Sequence, residues 1–550
     1  QAKQPTEPTE PTESGSTDAS LAGRAKKPAS RARWWAVGGA AVVVIALAAA
    51  LIAYLGKQDA DGTESAPGSG AASTGTATAG EATLTVGVSL EPTNLNIRST
   101  AGTALDQVLL DNVYQPLVRH SDDGSFEPSL ASRWEIADDG LTYTFTLFDG
   151  IVFSNGHVLD SEDVAWSILQ VRDEQLVNSN LLAAVAAIEA PDPATVVFRL
   201  SQPYPDLLWA LSTRAGIAID QEAGNDLDST AIGSGPYLLE QWKQGDSITL
   251  TRNDGYWGEA PSLAQVVIRY VPDVNASVTA FNAGDLDAVA PIDASLRDQV
   301  SVEGANFFVA EASDKFVLAF NNAAPPLDRL EVRQAIRYAL DDAAFIAARG
   351  DVDRPLGGPI PPTDPGYEDL TGLYPRDLAK ARELLAAAGY GDGLELTLTI
   401  PSFYSLTLPD LVTAQLAEVG ITVTVQAVEF SAWLEDVYTN KDYQLSIVDH
   451  AETHDFGSWA NPDYYFGYDN AEVQQLYADA VKAVSAEEAD KLLAQAARLV
   501  SQDAAADWLF NFRQLVVTAP GVEGFPQAQI NSRLNFAQIS VAAGAKSQAK

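Results

Sequence analysis

Residues 446–470 read SIVDHAETHDFGSWANPDYYFGYDN and hold two of the four histidines in the chain. His450, Glu452 and His454 alternate, flanked by Asp449 and Asp455. In an extended segment, residues two apart project to one face. Two imidazoles and a carboxylate on one face are a donor set for zinc or nickel. The same stretch also reads as an acidic, aromatic-rich loop after an apolar strand, which suits a cationic group. A desolvated ammonium needs a carboxylate partner, and a charge-assisted hydrogen bond supplies energy and direction. A third reading is local: a histidine at a strand end that only hydrogen-bonds its neighbours. The residues alone leave all three open.

Such a loop needs rigid elements beneath it. Alternating apolar residues predict strands in ATLTVGVSL (82–90), LTYTFTLFDGIVF (141–153, with a turn at Asp149-Gly150), DSITLTRN, AQVVIRYVP, KFVLAFNN, LELTLTIP, ITVTVQAVEF and YQLSIVD. Helices lie between them. Val332, Ile336 and Leu340 recur at four-residue spacing, one buried stripe. Asp377 suits an N-cap and Gly389 a helix stop. Pro409 and Gly420 bracket a second helix, and Ser485 with Glu488 fits a capping box. From residue 377 to 448 the order is helix, strand, helix, strand, strand. That is an α/β lobe whose ligand loops follow strand C-termini.

The bulk numbers bound the function. A chain of 550 residues, 46% hydrophobic and 9% aromatic, is long enough for several packed units. It lacks cysteine and methionine, so no disulfide, thiolate nucleophile or Cys metal site exists. The net charge of −40 argues against nucleic-acid binding, which needs a basic footprint. No G-x-S-x-G, H-E-x-x-H or phosphate loop is present. With 74 acidic residues, finding a carboxylate pair says nothing about a two-carboxylate hydrolase.

Three unlike segments precede the globular part. Residues 1–33, with PTEPTEPTE, bury too little to repay ordering and are expected to be a disordered cytoplasmic tail. Residues 34–55, WWAVGGAAVVVIALAAALIAYL, carry no charge; as a helix they would span about 33 Å, against a bilayer core of ~30 Å. Trp34, Trp35 and Tyr54 sit at its ends. Arg24, Lys26, Lys27, Arg31 and Arg33 precede it, while Asp59, Asp61 and Glu64 follow. The positive-inside rule puts everything after residue 55 outside a cell membrane crossed once. A cleaved signal peptide competes, but its apolar region is shorter. Residues 56–82 read as a flexible linker. Of the charged residues, 27 basic and 66 acidic lie after residue 82, a balance of −39 outside.

Four segments in order resemble the extracytoplasmic solute-binding proteins of family 5, the oligopeptide, dipeptide and nickel type of ABC transporters. They are VYQPLVRHSDDGSFEPSLASRWEIADDGLTYTFTLFDGIVFSNGHVLDSEDVAWSI (113–168), IGSGPYLLEQWKQGDSITLTRNDGYWG (232–258), VRQAIRYALD (332–341) and AKARELLAAAGYGDG (379–393). The resemblance covers residues 83–540. It implies an α/β, two-lobe periplasmic-binding-protein-like fold (type II, with an extra subdomain in the first lobe), preceded by the one transmembrane helix. Lobe I would hold 83–315, with the subdomain at about 122–220. Lobe II would hold 316–505, and 506–540 would return to lobe I before a disordered tail at 541–550. Gly233, Gly235 and Pro236 are expected to form a tight turn, and Trp134, Tyr256 and Trp257 to pack the core.

The resemblance also implies a function. A monomer, without cofactor and without catalysis, would close by hinge motion on a peptide and hand it to the permease of an ABC importer. In peptide binders of the family, an acid after a second-lobe strand pairs with the ligand's α-amino group. Here Glu452 and Asp455 are the equal candidates, because the usual acid sits closer to the Pro-Asp-aromatic segment. Loops after strands supply the other candidates: Ser89, Leu90 and Glu91; Asn321; Ser402, Phe403 and Tyr404; Trp433; and Trp459. The metal alternative is His450, Glu452 and His454. Ten tryptophans keep an oligosaccharide ligand open, and the family also includes nickel binders.

Overall fold

The computed structural model describes residues 82–100, 102–121, 124–224, 226–528 and 533–542. The expected tail 1–33, anchor 34–55 and all but the last residue of the linker lie outside the described residues. Among the described residues no helix is long and apolar enough to cross a membrane.

Three sheets organise the chain, and each has its own apolar core. A seven-stranded sheet runs in the order Asn306–Ala310, Gln514–Thr518, Ala288–Val289, Thr83–Val88, Gln265–Tyr270, Ser247–Arg252 and Tyr237–Lys243. A four-stranded antiparallel sheet of Ala131–Ile136, Thr142–Leu147, Thr195–Leu200 and Val185–Asp192 forms the inserted subdomain, beside helix Ser161–Asp173. A five-stranded sheet runs Ile421–Val428, Leu394–Pro401, Leu445–His450, Lys315–Phe320, Ala506–Asn511. It has a buried cluster on each face, so its strands Lys315–Phe320, Leu445–His450 and Ala506–Asn511 are buried on both sides, while the edge strand Ile421–Val428 alternates.

Strand direction decides where a site can lie. In the five-stranded sheet Leu394–Pro401 is parallel to Ile421–Val428 and to Leu445–His450, so their C-termini share one edge. Lys315–Phe320 is antiparallel to Leu445–His450 and opens opposite its end, with Lys315 facing His450 and Phe316 facing Asp449. Ala506–Asn511 ends on the same edge, with Asn511 opposite Lys315. In the seven-stranded sheet Thr83–Val88 is parallel to Gln265–Tyr270, and Ala310 pairs with Gln514. The chain therefore crosses between the two sheets twice, through residues 311–314 and 512–513, at the edge where the parallel strands of both sheets end. Asn511 ties the crossings together: its side-chain amide donates to the carbonyls of Ala312 and Asp314, each at 2.9 Å.

Two boundaries differ from expectation. Ala506–Asn511 hydrogen-bonds within the five-stranded sheet, so the return to the seven-stranded sheet begins at Gln514 rather than 506. At the other end, Val541 pairs with Val522 instead of starting a disordered tail.

Local signals explain the helices. Asp377 caps Leu378–Ala387 by accepting from the Ala379 and Lys380 N–H groups, and Gly389 follows at φ 86°. The Pro409 helix starts two residues earlier, at Thr407. Ser485 accepts from the Glu488 N–H at 3.3 Å, which is the N-cap half of the expected box. Gly233 and Gly235 serve close approach: a Cβ there would meet the Val113 carbonyl oxygen at 1.9 Å and the Asn112 carbonyl oxygen at 2.3 Å.

Candidate functional site

The loop after Leu445–His450 sits on the edge where the chain crosses between sheets, and a buried lysine lies beneath it. Lys315 is held at the start of its strand by pairing on both sides, with its side chain 3% exposed. Its ammonium donates to the Glu452 carbonyl at 2.8 Å and to Asp455 Oδ1 at 3.0 Å. Burial pulls its pKa down, but Asp455, Asp364 and Glu452 outweigh burial and the net shift is upward.

The acids outnumber that cation. Burial, with the Asp455 charge, pushes Glu452 up to about 7. Burial pushes Asp314 up to about 6. Burial and the charges of Asp314 and Glu452 hold Asp449 well above the carboxylate range, and its Oδ1 is buried without a hydrogen-bond partner. Burial raises Asp364 as well, against the opposing pull of His454 and Lys315. Burial is the first cause of all four upward shifts, and Lys315 does not offset it. A further cation at this edge would favour the ionised forms.

Aromatic rings wall the cluster. The Tyr404 hydroxyl accepts from the Asp449 N–H at 3.1 Å, and its ring meets Phe316 edge-on at 5.9 Å. Tyr438 and Tyr464 pack at 5.7 Å, and both sense the Glu452 charge. A cavity of about 290 Å³ opens beside the loop, between His120, Phe126 and Asp206 on one side and Asp364, His454 and Asp455 on the other.

The metal alternative changes membership. His450, Glu452 and Asp455 can place one ligand atom each within 4.8 Å of one another. His454 is elsewhere: its ring lies 4.3 Å from Trp209, stacked, and its Nδ1 is 3.3 Å from Asp206 Oδ1. The donor set does not fit a metal well. The Lys315 ammonium already holds Asp455, His450 Nε2 is 2.9 Å from the Tyr465 hydroxyl, and Glu452 resists ionisation. Burial lowers His450 to about 4, so its ring is neutral at pH 7.

The other sequence candidates divide sharply. Ser402, Phe403 and Tyr404 lie on the crossing edge, with Ser402 exposed and Phe403 43% exposed. Ser89, Leu90 and Glu91 follow Thr83–Val88 at the facing edge of the seven-stranded sheet, but Glu91 Oε1 accepts from the Gly245 N–H at 2.7 Å. Three candidates are corrected to structural roles. Asn321 spends its amide on the Lys441 and Tyr443 carbonyls. Trp433 is buried against Phe430, and its indole donates to Ser446. Trp459 is stacked on Phe466 at 4.0 Å inside the same aromatic core. Sequence reading missed Lys315, Asp314 and Asp364 and left Asp449 a flanking residue. The available signal was a charged pair, Asp314-Lys315, opening a strand that is otherwise apolar.

Comparison with known proteins decides the family. Residues 125–495 match the model of the bacterial extracellular solute-binding proteins, family 5. The chain belongs to that family. Among curated relatives, the glutathione-binding protein GsiB of Salmonella paratyphi A is 29% identical over 427 residues, covering 73% of this chain and 83% of that one. The GsiB of Escherichia coli O157:H7 is 28% identical over 433 residues, covering 73% and 84%. Among solved structures, the ABC transporter substrate-binding protein CtaP of Listeria monocytogenes superposes with a TM-score of 0.75 at 23% identity, over 84% of this chain and 99% of that one. NikA of Brucella suis, in complex with Fe(III)-EDTA, gives 0.74 at 24% identity, over 83% and 100%. DppA of Helicobacter pylori, in complex with the peptide STSA, gives 0.68 at 22% identity, over 84% and 98%. At these identities the structures show the fold, which is the two-lobe binding-protein architecture. This family 5 protein therefore carries its outnumbered lysine where two lobes meet.

Proposed function

We propose that this solute-binding protein captures a peptide bearing a free, protonated amine between its lobes and delivers it unaltered to the permease of an ABC importer. The observation that carries the reading is the charge balance at the crossing edge: one buried ammonium among Asp314, Asp364, Asp449, Glu452 and Asp455. Asp455 is engaged by Lys315, so Glu452 takes the role of ligand anchor. A bound amine would let Glu452 ionise, and the resulting charge-assisted bond would be strengthened by the surrounding rings' exclusion of water. Phe403 and Tyr404 would flank the ligand from the rim. Main-chain pairing would hold the peptide backbone without reading its sequence. The protein would act as a monomer outside the cell, tethered through the apolar stretch 34–55 and the linker after it.

A thermal-shift screen tests the class. Tri- to octapeptides with free amino termini should raise the melting temperature, and their N-acetylated forms should raise it far less. Stabilisation by nickel-histidine or by cello- and xylo-oligosaccharides alone would overturn the reading. Mass spectrometry of ligand carried through purification provides the same discrimination without a guess at identity.

A further inference from the structure

The loop that carries Glu452 has a second face. Glu452 and Asp455 lie on the Lys315 side, while His454 between them turns the other way. Its backbone is left-handed, φ 53°, a conformation few residues with a side chain adopt. The Asp364 carboxylate fixes it there by accepting the His454 N–H at 2.6 Å. The imidazole then reaches across to the inserted subdomain and lies on Trp209, ring centroids 4.3 Å apart and planes 10° from parallel. Trp209, in helix Leu207–Ser212, is 4% exposed and meets His120 edge-on at 5.2 Å. The Asp206 carboxylate, at the same helix's start, stands 3.3 Å from His454 Nδ1.

Trp209 lies in a helix of the inserted subdomain and His454 in the loop after Leu445–His450 of the five-stranded sheet, and nothing but the tertiary arrangement brings them together. We infer that the Trp209–His454 stack is a latch between the lobes, formed on closure and positioned by the loop that anchors the ligand. The inference rests on the amine-capture reading for what the ligand does, and on the stack for how closure is held. A contact made in only one of two states shifts their populations by its own free energy. A buried aromatic stack of this kind corresponds to about 3- to 10-fold in that equilibrium. In this role His454 is a positioning residue that acts through the stack rather than through a ligand contact, so its loss should weaken all ligands alike.

Calorimetry and dissociation kinetics on the full chain test this with a set of free-amine peptides and their N-acetylated forms. His454→Ala should weaken every peptide by a common factor of about 3- to 10-fold through faster dissociation, leaving the free-to-acetylated ratio unchanged. His454→Phe, which keeps a stacking ring, should recover most of the loss. Unchanged affinity in His454→Ala overturns the latch, as does a changed free-to-acetylated ratio, which would make His454 a ligand contact. If acetylation has no effect on wild type, the amine reading fails while the latch stands or falls on the common factor. A ligand-independent arm uses the absence of native cysteine. In a Trp209→Cys, His454→Cys double variant, a short bismaleimide should join the two positions, faster with bound peptide than without. No cross-link under either condition would overturn the latch.

Discussion

Two buried basic side chains, each 3% exposed, are treated in opposite ways by this molecule. Arg214 of the inserted subdomain meets one acid, Asp106, at 2.6 Å, and gives its remaining donors to the carbonyls of Ile97, Thr100 and Gly102. Its charge is matched and its hydrogen bonds are satisfied. Lys315 meets one carbonyl and one carboxylate, with further carboxyls crowding behind. The first arrangement is closed: it fastens residues 97–106 to the subdomain and has no use for a visitor. The second has more carboxyls than cations at the edge where the chain crosses between the two sheets. On the proposed reading, it is the mismatch between cation and acid rather than burial that marks the binding site.

The contrast can be broken by stability measurements. Replacing Arg214 with Met should cost about 3–5 kcal/mol of unfolding free energy, because Asp106 is left buried and unpaired. Replacing Asp455 with Asn should cost less, about 1–3 kcal/mol, since other carboxyls remain near Lys315. Urea denaturation reads both. Equal losses would mean that Lys315 is matched to Asp455 as Arg214 is to Asp106.

The next effect is in the pH dependence of the unliganded protein. Glu452 is raised from 4.5 to about 7, so the folded state binds the extra proton in that window. Its contribution to stability is complete below about 4.5 and is lost as pH rises through 7, on the order of 1–3 kcal/mol. His450 runs the other way: lowered from 6.5 to about 4, it contributes above 6.5 and loses that contribution as pH falls toward 4. The difference between wild type and Glu452→Gln isolates the carboxyl, and should slope downward from pH 4.5 to 7. A flat difference would remove Glu452 from the strained cluster. Over the same window, affinity for a free-amine peptide should rise. The smallest effect belongs to the rim: Phe403→Ala, read by calorimetry, should change ligand affinity by less than about 1 kcal/mol and cost only about 1 kcal/mol in unfolding, as its side chain is already 43% exposed.

The elements were readable because their signals are local. Alternation in KFVLAFNN and YQLSIVD gives Lys315–Phe320 and Leu445–His450, and Asp377 caps its helix as expected. The loop carrying Glu452 and Asp455 stands out by its acids and its place after a strand, and its role as ligand anchor is a proposal. Lys315 was hidden because its meaning depends on register: only pairing with His450 and Asn511 puts it under a loop more than a hundred residues away. Trp433, Trp459 and Asn321 misled because an aromatic or amide near a strand end looks the same whether it faces a cleft or the core. His454 misled for a backbone reason. Period-two projection assumes an extended chain, and its left-handed φ turns the imidazole away from Glu452.

The most direct measurement is a double cycle by calorimetry at pH 8: one peptide, free or N-acetylated, against wild type and Glu452→Gln. The predicted outcome is a coupling of about 1.5–3 kcal/mol between the ligand's amine and the Glu452 carboxylate. Losses that simply add, with coupling near zero, would show that the ligand's charge is met elsewhere and that the surplus acid around Lys315 serves some other cation.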